Sequence, residues 1–183
     1  MSTPSALRAH RAIGSLFFSV FGGAWVGAWA LKSVGLRSWM GVPILLGTLM
    51  LLGAALRQYL ANRSALAAES ETPERRRASW IFNLVKAGQW IAVLIAVNVV
   101  NNPGHPEWVI PAFIFIVGVH FLPLASVFKA RRHLLTGVAL MAVALIYPQV
   151  APQGAASPVG CLGAGVILWA AALAGVWPDG QGA

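Results

Sequence analysis

The residue types best suited to chemistry in this chain lie on one line. Asn83, Lys86, Trp90, Asn98 and Asn101 are separated by three, four, eight and three residues. At 100° per residue they form a broad stripe along one side of a helix. Amides, an ammonium and an indole can hold an anion, a lipid headgroup or a neutral polar solute, but they do not make a nucleophile and its base. The surrounding run, Ser79–Val100, is otherwise apolar. Amides and an amine against lipid are costly, so the stripe is expected to face the protein interior or a wet cavity. Lys86 sits about 9–12 Å inside that run at 1.5 Å per residue. Its stem can snorkel back to the headgroups; otherwise Lys86 is a fixed positive charge on a cavity wall.

A second polar group lies in the next apolar run. His120 is about two turns from the end of Trp108–Phe128, which runs the opposite way, so His120 and Lys86 should share a depth. Pro123 offers no N–H to the Val119 carbonyl, which predicts a kink there and a free acceptor. His120, the Val119 carbonyl, Lys86 and Asn83 form a candidate polar locus. The plainer reading of His120 is an interhelical hydrogen bond that aids packing. His120 has no partner ligand in the apolar runs. His105 and Glu107 in a connecting loop are a lone pair, and Cys161 is the sole cysteine, so no metal site and no cofactor is implied. The chain lacks GxSxG, HExxH, Walker and paired-carboxylate patterns.

These residues are positioned by six uncharged or nearly uncharged runs: Ala12–Leu31, Trp39–Leu56, Ser79–Val100, Trp108–Phe128, Leu134–Val150 and Ser157–Trp177. About 20 residues cross a hydrocarbon core as a helix, and unpaired backbone groups are not tolerated there. Composition agrees: 58% of the 183 residues are hydrophobic and 10% charged, against about a quarter charged in soluble domains. The first run follows Arg8 and Arg11 as in a signal peptide, but it is long enough for a full crossing and is read as the first helix. The five acids, Glu69, Glu71, Glu74, Glu107 and Asp179, all lie outside the runs, which disfavours a proton relay.

The basic residues report sidedness. Arg8, Arg11, Arg57, Arg63, Arg75, Arg76, Arg77, Lys129, Arg131 and Arg132 fall on one side of six crossings, and Lys32 and Arg37 on the other. The positive-inside bias places both termini in the cytoplasm of an inner-membrane protein. The net charge of +8 is thereby explained by topology, and nucleic acid is not an expected partner. Trp29, Trp39, Trp108 and Tyr147 mark the outer boundary, and Trp80, Trp177 and Tyr59 the inner one.

The segment 57–78 is the longest connection, expected as a cytoplasmic loop. Thr72-Pro73-Glu74 within it reads as a helix start, with a cap, a proline in the first turn and an acid at the positive dipole end. The Arg75–Arg77 run then lies at the lipid surface, where it anchors topology or recognises an anionic lipid. Gly23 and Gly27 have the GxxxG spacing of close helix approach, either inside the protein or as a seam for a homo-oligomer or membrane-protein partner. Gly160, Gly163 and Gly165 repeat the theme. Phe17…Gly23-Ala24-Trp25 and Phe82…Gly88-Gln89-Trp90, with Trp39…Pro43 and Trp108…Pro111, suggest tandem two-helix hairpins.

The sequence therefore predicts an all-α, polytopic membrane protein, one six-helix bundle in a single domain. Two functions fit it. One is a small transporter, permease or channel-like protein whose pathway follows the third helix. The other is a non-catalytic membrane scaffold, complex-accessory or lipid-binding protein. No residue pattern argues for an enzyme.

Overall fold

A computed structural model of the chain describes residues 3–35, 39–69, 72–102, 104–128 and 130–177. Arg37, Lys129, Glu71 and Asp179, which entered the charge reading, lie outside the described residues. The elements are α1 (Pro4–Val34), α2 (Gly41–Ala67), α3 (Pro73–Asn101), α4 (Val109–Val127), α5 (Arg131–Val150) and α6 (Val159–Val176), with short 3₁₀ turns at Pro106–Trp108 and Gly154–Ala156. The protein is all-α, and six of its helices are long and apolar enough to cross a membrane. It is a multi-pass membrane protein with apolar helix surfaces toward lipid.

Helix ends differ from the sequence expectation where charge, not a helix breaker, bounds the apolar run. α1 begins at Pro4, with Thr3 Oγ1 accepting from the Ala6 N–H at 3.2 Å. Arg8 and Arg11 are simply its first two turns. α2 continues to Ala67, so most of the expected loop after Arg57 is helix. Arg57–Ala67 contains no Gly or Pro and is rich in Ala, Leu, Arg and Gln, all good helix formers in water. Thr72 caps α3 as predicted, its Oγ1 accepting from the Arg75 N–H at 3.3 Å.

The chain divides into two compact units, 1–70 with 165–183, and 71–164. In the first, α1 packs along α2 and against the later turns of α6. Its buried line is Ala6, Ala9, Ala12, Ser15, Ser19, Gly22, Gly23, Val26 and Ala30. The steps of three and four keep one face inward, and nearly every member is small. The large side chains Phe17, Val20 and Phe21 are exposed instead. Lipid is as apolar as leucine, so close van der Waals approach, not hydrophobic burial, selects the contact residues.

The Trp169 indole is the main wedge of this unit. It lies against Gly22 of α1 and Gly47 of α2, and its Nε1–H donates to the Ser19 carbonyl at 3.3 Å. Gly23 meets the Thr48 side chain, so its place in the GxxxG pair is taken by contact within the chain. Gly27 is different: a Cβ there would meet nothing, and it borders an open groove of about 360 Å³ between α1 and α2.

In the second unit α4 packs on both α3 and α5. Gly118 and Gly137 face each other. A Cβ on Gly118 would stand 2.8 Å from the Gly137 carbonyl, and one on Gly137 would stand 2.7 Å from the Gly118 carbonyl. The two backbones therefore cross in direct contact. The first turns of α6 use Gly160 against Tyr147 and Gly163 against Val143. Tyr147 is buried and donates its hydroxyl to the Ala155 carbonyl at 3.2 Å, closing the far end of α5 on the following turn.

The candidate functional site: the exposed face of α3

α3 presents two lines of different chemistry. Phe82, Val85, Gln89, Val93, Ala96 and Val100 recur at steps of four or three and are buried or half-buried. This line meets α4. The polar line Asn83, Lys86, Trp90, Asn98 and Asn101 is exposed at every position, with Trp90 56% exposed. This reverses the expectation that the stripe faces inward. The reason is packing: Val85, Val93, Ala96 and Val100 are β-branched or small and fit against α4, with Gln89 the one amide among them, and this line sits about 120° around the helix from the exposed amides. Both lines cannot face the same neighbour.

Lys86 also departs from a cavity-lining position. Its Nζ lies 5.8 Å from the centre of the Phe82 ring, one turn nearer the start of α3. The side chain follows the backward lean of helical residues and carries its charge toward the surface from which α3 enters. Asn98 donates its Nδ2–H to the Leu94 carbonyl of its own helix at 2.7 Å.

His120 sits where its depth predicted. Its ring reaches the Val85 backbone of α3, one residue from Lys86, and lies edge-on to Phe121 at 5.7 Å. Its Nδ1 is buried without a hydrogen-bond partner. The structure thus brings His120 to the α3 backbone beside Lys86 but keeps it apart from the amides, which sit about 120° around the helix. α4 runs through Pro123 to Val127 without a break in its helical residues.

Sequence reasoning missed the ring cluster that ties these three helices together. Phe82 packs on Phe128 with centroids 6.3 Å apart, Phe128 on His133 at 6.2 Å, and Phe121 stacks on His133 at 6.0 Å. The signal was available as aromatic residues clustered at the same ends of three runs. In the connecting loop, His105 Nδ1 and Glu107 Oε1 are 3.2 Å apart and exposed. Among the described residues no group of three or more His, Cys, Asp or Glu could hold a metal ion. Asn83, Lys86, Trp90, Asn98 and Asn101 can offer hydrogen bonds and one charge to something lying alongside α3 in the bilayer.

Residues 81–175, just over half of the chain, match a protein-family model described as a family of unknown function (DUF7010). No curated protein and no solved structure matches the sequence.

Proposed function

The chain belongs to the DUF7010 family, and from that premise we propose that it is a non-catalytic inner-membrane protein that assists a larger complex, docking a transmembrane helix of a partner protein along the amide line of α3. The observation that carries this reading is the exposure of all five polar-line residues on a helix that crosses lipid. Exposed amides in hydrocarbon gain from a partner that hydrogen-bonds them, by about 0.6–2 kcal/mol each. The two termini are placed in the cytoplasm on the strength of the basic residues at one set of helix ends.

A transport pathway through a single chain would need the same line on an inner wall, which the exposure of the five residues disfavours. A second copy could still enclose it, and the test separates these cases. Photoreactive side chains placed at 83, 90 and 101 and irradiated in native membranes should yield adducts larger than the chain. Equivalent probes at the exposed α5 positions 135 and 146 should not. Adducts of twice the chain's mass would turn the reading toward a homo-oligomer. Adducts absent from α3, or equal at the α5 controls, would remove it.

A further inference from the structure

We propose that the first turns of α3 bind the phosphate of an anionic phospholipid in the leaflet that α3 enters, with an acyl chain lying along an apolar track beneath. This does not rest on the partner-helix reading, whose residues lie beside this track and, at Asn98 and Asn101, beyond its far end.

Thr72, Pro73, Arg76, Arg77 and Trp80 enclose an open concavity of about 560 Å³. Arg76 and Arg77 lie four and three residues before Trp80, so the indole sits one turn beneath both guanidiniums. Trp80 is 65% exposed, and tryptophan favours the headgroup level of a bilayer. Guanidinium forks match phosphate oxygens two at a time, which a lone ammonium does not. Lys86 leans back over Phe82 and brings a further positive charge toward this end from below. Glu74, the described acid on these turns, lies about 200° around the helix from Arg76 and about 60° from Arg77, and its carboxylate bonds its own backbone and Thr72 at the helix start.

The track selects a lipid over a soluble phosphate. Trp80, Leu84, Ala87, Ile91 and Leu94 follow at steps of four, three, four and three, and all are exposed. They make an unbroken apolar strip directly below the concavity, which ends where Asn98 continues the same spacing. A phosphate held at Arg76 and Arg77 would therefore have its glycerol at the Trp80 level and a chain against Leu84, Ala87 and Ile91. Charge complementarity above and continuous apolar surface below are the two halves of a phospholipid.

The test counts lipids retained by the purified full chain in native mass spectrometry. Phosphatidylglycerol is titrated against phosphatidylcholine of the same chains. The wild type should favour phosphatidylglycerol, and R76Q/R77Q should weaken its retention about thirtyfold. R76K/R77K, which keeps the charge, should recover part of it. R57Q/R63Q, which removes two cations from α2, should change it little. Equal retention of the two lipids by the wild type would overturn the proposal. So would a loss in R57Q/R63Q as large as in R76Q/R77Q, which would mean general charge attraction. Displacement of phosphatidylglycerol by inorganic phosphate or by chainless glycerophosphoglycerol would overturn the lipid assignment in favour of a soluble anion.

Discussion

α1 and α3 are both long helices that begin in basic turns and continue through apolar sequence, yet they are used in opposite ways. α1 buries a line of Ala, Ser and Gly and turns Phe17 and Phe21 outward. α3 buries little besides Val93 and turns amides, a lysine and two tryptophans outward. The contrast shows how helix roles are separated when the solvent is lipid. Small residues mark where backbones meet, because shape alone drives that contact. Polar residues that are left exposed mark where something else is expected.

The sharpest test of that contrast replaces one glycine on each helix. Gly22→Leu on α1 would drive its Cβ into the Trp169 indole and within 3.1 Å of the Gly165 carbonyl. Overpacking of this kind against a backbone should destabilise by about 3 kcal/mol, read as a lower unfolding midpoint in detergent. Gly88→Leu on α3 meets nothing within 4 Å and should instead gain up to about 1 kcal/mol from helix propensity. Similar losses in both variants would mean that α3 is packed as tightly as α1.

Next in size is the wedge itself. Trp169→Phe removes the hydrogen bond to the Ser19 carbonyl and part of the contact with Gly22 and Gly47. A loss of about 1.5 kcal/mol in the same unfolding measurement is expected. Thr72→Ala should cost less, about 1 kcal/mol, because it deletes one cap at an exposed helix start. An unchanged midpoint for Thr72→Ala would indicate that α3 is held by its packing alone.

The parts of this architecture that depend on solvent were legible in the sequence. Run length and missing charge identified six crossings, and Thr72-Pro73-Glu74 announced the start of α3. Helix ends in water were not, because Arg57–Ala67 keeps its helical propensity after the apolar signal stops. Neither was the facing of α3: its apolar and polar lines are both periodic, and cost in lipid argued for burying the polar one. What decided the matter was which line fits α4, and that depends on residues of two helices at once. The Gly118–Gly137 crossing escaped for the same reason, since the pair lies on different helices and forms no spaced motif. Trp169 escaped because its contacts, Gly22 and Gly47, lie on two other helices and no spacing within one run marks them. Arg8 and Arg11 bound the apolar run without ending the helix, because a helix start in water tolerates charge.

The smallest expected stability change is the one that bears most on function. Asn98 is exposed, and the described hydrogen bond of its side chain is to the Leu94 carbonyl of its own helix. Asn98→Leu leaves that carbonyl in its ordinary helical bond and removes an amide from hydrocarbon. The isolated protein should therefore unfold within about 0.5 kcal/mol of the wild type. In native membranes the same substitution should cut cross-linking from position 101 severalfold, because it deletes a group that a partner helix would have used. These two readouts must diverge. A loss of stability above about 1 kcal/mol would show that Asn98 serves the chain's own packing, and cross-linking that survives unchanged would show that the amides are not what the partner reads.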